Sequence, residues 1–282
     1  MPSLLFNAFI LPLVNIWNYI FYYPSVNIIL IVYKYLGGNL GVSIIVITII
    51  FRVLLAPSLN SQMRYMRRIG ELKPKLDKLN QKYKGDKKAL AEAQMSFYKE
   101  NGINPAGSCL PLILQLPILF AVYDVINTAT QKNAITIFNK IAYSNSLRLP
   151  IHSTINTNFL WMNLSNNAYK YGFGHIPGVL PYIILALLVG LSQYYTTKLT
   201  TDINTAKTTD LADIVEKKDS EFDAQEFSTQ LSKQMMITLP ILLVVMSLGI
   251  LSPIPSGLSI YWLLQSVLII LQTYIFSSKK IK

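Results

Sequence analysis

The chain has 282 residues, mean hydropathy +0.38, 52% hydrophobic and 14% charged residues, and a net charge of +11. A soluble domain carries about 25% charged residues, so this composition excludes an ordinary soluble enzyme or binding module. With its apolar residues gathered in long runs, it points to an all-α polytopic membrane protein. One cysteine, Cys109, excludes an internal disulfide and a zinc cluster, and two histidines, His152 and His175, leave few parts for a metal or acid–base site.

Residues 1–37 form an N-terminal apolar segment. Met1–Ser3 lacks a basic region and no small-x-small site follows, so a cleaved signal is not expected. Leu4–Tyr23 either spans the bilayer or lies in its interface, with Pro12 and Pro24 as breakers. Ser25–Leu36 is too short to span and carries Asn27 and Lys34 on one face, so the sequence predicts an interfacial helix ending at Gly37-Gly38.

Residues 38–276 read as a five-span core. The first span, Gly38–Leu59, holds one full charge, Arg52, with Thr48 one helical turn before it. Arginine has no neutral form to fall back on in a protein. In hydrocarbon it costs from about 2.5–3.5 kcal/mol on insertion scales to about 10 or more in simulation. It must face water, a partner or a substrate. The competing reading is a structural arginine paired with a carboxylate or backbone carbonyls, but the spans offer only Asp124, expected near the far end of its span within reach of the interface.

Segment 60–105 carries eleven basic residues against five acids, which makes it cytoplasmic by the positive-inside rule. Leu59, Met63, Met66, Ile69, Leu72, Leu76, Leu79 and Tyr83 form an apolar stripe at helical spacing. Gly85-Asp86 breaks it, and a second helix is predicted over Lys87–Glu100, giving a hairpin kinked at Pro74. The second span, Ala106–Ala129, holds Pro111 and Pro117 with Gln115 between them; the prolines kink the helix or line a wet cavity. Segment 130–176 has four basic residues and no acid and reads as an outside loop, with Phe159-Leu160-Trp161 suited to the membrane surface. Pro177–Tyr195 is the third span, and 196–233, with eight acids and five lysines, is an inside loop. Gln234–Leu251 and Gly257–Phe276 are the fourth and fifth spans, joined by the turn Ser252–Ser256. Residues 277–282 form a short basic cytoplasmic tail.

GVSIIVITIIFR (41–52), LKPKL (72–76), NPAGSCLPLILQLPILFAVY (104–123), FLWMNLS (159–165) and PSGLSIYW (255–262), in that order, resemble the YidC/Oxa family of membrane protein insertases. The resemblance implies five spans around a hydrophilic groove that opens to cytoplasm and lipid, in a prokaryotic cell (inner) membrane. By it Arg52 is the groove arginine, Thr48 the groove threonine, Gln115 the polar position between the prolines, and Tyr261 and Trp262 the aromatic pair of the last span. Gln265 lies one turn from Tyr261 and could wet the same groove. The bland alternatives are helix–helix hydrogen bonds for the polar groups and an interfacial belt for the aromatics. The implied partners are nascent membrane proteins and membrane lipids, with the ribosome and a Sec translocon as candidates, and no DNA. Arg64, Arg67, Arg68, Lys73, Lys75 and Lys82 are the hairpin residues placed to meet lipid headgroups, ribosomal RNA or targeting factors, or else simply a solvated face. The chain departs from the family pattern in lacking an early lipid-attachment cysteine and a large domain ahead of the core, in the extra Pro253, and in a tail with only Lys279, Lys280 and Lys282. No phosphate loop, GxSxG or HExxH motif occurs, so neither an enzyme nor a cofactor is expected. The rival function is a small-solute or ion transporter using the intramembrane charge. Neither an inverted repeat nor a second membrane charge for a relay supports it.

Overall fold

The computed structural model describes residues 11–83, 86–102, 110–172, 176–205, 224–252 and 254–278. The expectations for Cys109, His175, Pro253, the 84–85 turn tip and the tail lysines lie outside these residues. So do the side chains of Arg67, Lys73 and Pro111. The elements are α1 (Leu11–Trp17), α2 (Tyr23–Tyr35), α3 (Leu40–Lys82), α4 (Lys87–Glu100), α5 (Leu110–Ala129), α6 (Ala134–Ile141), β1 (Asn158–Phe159), β2 (Met162–Asn163), α7 (Ala168–Tyr171), α8 (Ile176–Thr205), α9 (Ala224–Leu248) and α10 (Ser256–Ser278). Among the described residues, four helical stretches are long and apolar enough to cross a membrane: Pro12–Tyr35, Leu40–Ser58, Ile176–Leu199 and Ser256–Ile275. Met236–Leu248 is a shorter apolar helix, and α5 adds 20 residues of apolar helix. The protein is an all-α polytopic membrane protein.

The first correction concerns Pro24. It does not break the chain into two pieces. A π-helical turn, Asn18–Tyr22, joins α1 to α2, so Pro12–Tyr35 runs as 24 helical residues. The wider turn carries the Tyr23 N–H to the Asn18 carbonyl, and the Ser25 hydroxyl donates to the Phe21 carbonyl at 2.6 Å. These bonds absorb the donor that proline lacks. At about 1.5 Å per residue the stretch is about 36 Å long, so the separate short helix expected over Ser25–Leu36 is the second half of a longer one.

The polar face expected to meet lipid headgroups is occupied by protein. Asn27, 3% exposed, donates to the Tyr23 carbonyl at 2.8 Å and the Ile141 carbonyl at 3.0 Å, and accepts from the Tyr143 N–H at 2.7 Å. Lys34 donates to the Ser146 carbonyl. A buried amide with its donors and acceptor engaged is worth keeping, because leaving one unmade costs about 1–3 kcal/mol. Asp124 lies near Trp17, which packs edge-on against Phe120 at 6.4 Å. One turn along, Tyr22 and Thr128 share a hydroxyl–hydroxyl bond of 3.0 Å.

The chain divides into two compact units. The first takes in the described parts of 1–54, 114–193 and 240–268. Its core holds Val26, Ile29, Leu30, Leu40, Ile44, Ile47, Val122, Ile126, Phe138, Leu164, Tyr182 and Tyr261. In α3 the buried residues Leu40, Ser43, Ile44, Ile47 and Thr48 form one stripe, while Ile49, Val53 and Leu54 are exposed, as a lipid-facing side requires. Asn39 caps α3 by accepting from the Gly41 N–H at 2.9 Å, and its amide donates to the Asn158 carbonyl at 2.7 Å. That bond ties the helix start to a two-stranded hairpin, Asn158↔Asn163 and Phe159↔Met162, which replaces the plain loop expected around FLWMNLS. The same stretch is sewn to the start of α10, where the Ser256 and Gly257 N–H groups donate to the Asn166 and Leu164 carbonyls at 2.9 and 3.1 Å.

The second unit takes in the described parts of 55–113, 194–239 and 269–282. The predicted second hairpin helix, Lys87–Glu100, is α4 to the residue, because Asp86 caps it by accepting from the Ala89 N–H at 3.0 Å. The first hairpin helix has no start of its own: span and hairpin arm are the single 43-residue α3, running through Pro57 and Pro74. Within this unit Gln272 donates to Asn60 at 2.8 Å and the Tyr195 and Tyr274 hydroxyls meet at 2.6 Å.

Gly41 supports one stability test. A Cβ there would lie 2.3 Å from two carbons of the Phe159 side chain. Gly41→Ala should cost about 1–3 kcal/mol through overpacking, read as a lower midpoint of thermal unfolding in detergent. Adding Phe159→Leu should recover part of the loss. If Gly41→Ala unfolds like the parent chain, the close approach of helix and hairpin is wrong.

Candidate functional site

The candidate residues of the first unit come from three helices. Thr48 and Arg52 follow each other at i, i+4 on the inward stripe of α3. Arg52 is half-buried there, while its neighbour Val53 is 66% exposed, so the charge is turned away from the lipid-facing side. Gln115 comes from α5, where Pro117 leaves the Ile113 carbonyl without its intrahelical donor. Tyr261 and Gln265 come from α10, again at i, i+4.

These side chains meet at the Tyr261 hydroxyl. The ring is 1% exposed. The amides of Gln115 and Gln265 each donate to its oxygen at 3.0 Å. Tyr261 and Arg52 lie within electrostatic range of each other. The cluster thus joins residues 146 positions apart in the chain. Gln265 Oε1 is buried and has no protein hydrogen-bond partner among the described residues, as are the hydroxyls of Ser247 and Ser259. Polar atoms at such depth need water or a guest to complete them.

The remaining candidates stand apart. Thr48 is fully buried, and its hydroxyl donates to the Ile44 carbonyl of its own helix at 2.6 Å, so it presents no free donor to a groove. Trp262 stands about 100° further round α10 than Tyr261 and is half-buried. A pair missed in the sequence lies further along: the Ser266 hydroxyl donates to Gln193 of α8 at 3.2 Å. Its signal was a glutamine inside the apolar stretch Ile176–Leu199.

In the second unit, Arg64, Arg68, Lys75 and Lys82 of α3 are exposed. Arg64 donates to the Ser61 hydroxyl at 3.2 Å, and Lys82 Nζ lies 5.4 Å from the centre of the Tyr83 ring. Burial pushes the Tyr98 phenol of α4 above its ordinary range. Among the described residues no group of three His, Cys, Asp or Glu could hold a metal ion, and His152 is exposed.

The sequence matches the family model described as 60Kd inner membrane protein over residues 31–282. The membrane protein insertase YidC of Fusobacterium nucleatum is 30% identical over 246 residues, covering 87% of this chain and 89% of that protein. The membrane protein insertase YidC of Alkalihalophilus pseudofirmus is 27% identical over 270 residues, covering 92% and 81%. That of Geobacter sulfurreducens is 29% identical over 237 residues, covering 84% of this chain but 33% of the longer relative. The chain therefore belongs to the 60Kd inner membrane protein family, the YidC/Oxa family.

Proposed function

We propose that this protein is a membrane protein insertase and chaperone that receives nascent membrane proteins in a hydrated, lipid-open groove bearing Arg52. The observation that carries the reading is the cluster of Gln115, Tyr261 and Gln265 beside Arg52 at buried depth between apolar helices. A short polar or acidic segment of an incoming chain must cross an apolar slab of about 30 Å. A polar recess reaching partway in shortens the dry path. Two unit charges 4 Å apart attract by about 4 kcal/mol at an effective dielectric of 20, against about 1 in bulk water. Arg52 therefore offsets part of the desolvation of an acidic segment as it enters. Release follows when the substrate's own apolar helix moves sideways into lipid, and one charge binds weakly enough to permit that.

The positive-inside rule supports an orientation with the 60–105 hairpin, the 196–233 segment and the C-terminus in the cytoplasm. The exposed Arg64, Arg68, Lys75 and Lys82 then face anionic lipid, with about 1 kcal/mol available per basic residue near such a surface. Arg67, Lys73 and the same arginines are the contacts proposed for a ribosome or targeting factor, and a Sec translocon is a proposed collaborator. No nucleotide, metal or covalent step enters this mechanism.

Three measurements test it. Arg52→Ala should lower insertion of single-span substrates with short acidic outside segments by about tenfold, the equivalent of about 1.4 kcal/mol. Arg52→Lys should retain most of the activity, and substrates with neutral outside segments should respond little. Full activity of Arg52→Ala on acidic substrates would remove the groove charge from the mechanism. Solute flux in proteoliposomes with normal insertion absent would favour a transporter. Tyr261→Phe strips the buried Gln265 amide and the half-buried Gln115 amide of their shared acceptor. Each orphaned group costs about 1–3 kcal/mol, so this variant should melt lower in detergent, while Trp262→Phe should melt near the parent.

A further inference from the structure

The turn between β1 and β2 is built in a way that folding alone does not ask for. Leu160 sits at φ +52°, in the left-handed region that favours glycine or asparagine. It is 69% exposed, and Trp161 beside it is 84% exposed. Two adjacent large apolar residues, one of them in a strained position and both mostly uncovered, point to a surface outside the chain.

The position of the turn says what that is. Phe159, one residue before it, lies against Gly41, the second residue of α3. Asn39 and Leu40 at the start of α3 are bonded to the backbone at Asn158 and Asn156. Ser256 and Gly257 at the start of α10 are bonded to the backbone at Asn166 and Leu164. Both helices are long and apolar enough to span, and both begin here. The hairpin is therefore clamped at the level where two spans enter the bilayer from the same side. A tryptophan held at that depth is in the zone that amphipathic aromatic rings prefer. The surrounding segment, 130–176, contributes Lys132, Lys140, Arg148 and Lys170, all exposed, and no acid. An apolar tip on a segment whose charges are all basic complements an anionic lipid surface.

We propose that Leu160-Trp161 is a membrane-anchoring turn that inserts into the headgroup region of the outer leaflet and is drawn there by anionic lipid. The bilayer thereby holds the hairpin down on the first turns of α3 and α10. This sets the outer ends of both helices independently of the insertase reading.

The test uses the full chain with Trp17→Phe and Trp262→Phe, leaving Trp161 as the only tryptophan, in vesicles of phosphatidylcholine with or without phosphatidylglycerol. Lipids brominated near the headgroup should quench its emission about twofold more than lipids brominated at the chain ends, as an interfacial ring requires. Quenching should be stronger with phosphatidylglycerol present. Equal quenching in both vesicles would overturn the role given to the basic residues. Emission at the aqueous maximum, quenched by acrylamide and untouched by brominated lipid, would overturn the anchor and leave the turn as a surface for a protein. If that chain does not fold, a nitroxide at Leu160→Cys on a Cys109→Ser background gives the same answer. Oxygen should reach it more readily than a water-soluble nickel chelate, and the reverse order contradicts insertion.

Discussion

An arginine cannot discharge itself in a bilayer, and the first unit is arranged around that constraint. Arg52 lies on the inward stripe of α3, beside Tyr261, with Val53 and Leu54 left to lipid. The neighbours supplied by α5 and α10 are amides and a phenol, which respond to charge without cancelling it. In the sequence every acid except Asp124 falls within 60–105 or 196–233, and Asp124 lies near Trp17. Polar neutral neighbours beside a cation are what the proposed handling of an acidic guest asks for.

A second constraint is the need to hold three helices in register so that their polar groups coincide. For α3 and α10, the stretch 156–167 does this with backbone bonds and tight contacts. The Tyr182 hydroxyl donates to the Asn163 carbonyl at 3.1 Å and accepts from the Asn163 N–H at 3.0 Å, tying α8 to the hairpin. Gly249, at φ +79°, ends α9 where a Cβ would lie 2.5 Å from the Asn167 side chain. Asn167 in turn donates to the Ile254 carbonyl just before α10. The starts of α3, α8 and α10 and the end of α9 are thus tied to one short stretch, 156–167, and Tyr261 sits about one turn into the helix that this stretch starts.

Much of this was legible in the chain. Long apolar runs gave the spans, and a break at Gly85-Asp86 followed by an apolar face gave Lys87–Glu100, where α4 lies. Tyr261 and Gln265 were readable as neighbours because i, i+4 is local geometry. Other features were hidden for physical reasons. Pro24 looked like a stop because sequence carries no sign of a π turn able to absorb it. Two-residue strands leave no period-2 pattern, so β1 and β2 read as loop. Gln115 meeting Tyr261 and Gly41 meeting Phe159 are contacts across 146 and 118 positions, which only tertiary packing creates. Thr48 shows what spacing leaves out: it places the residue one turn from Arg52 but does not say that its hydroxyl donates to its own helix.

The central claim is that water and substrate reach the Arg52 cluster from the cytoplasmic side. Gln115→Cys on a Cys109→Ser background places one thiol in that cluster, and a membrane-impermeant maleimide can be offered to either face of the membrane. The account predicts labelling in inverted vesicles, where the cytoplasmic face is outward, protection when a stalled acidic substrate is present, and no labelling in right-side-out vesicles. Labelling from the outer face alone, or from neither face, would contradict it.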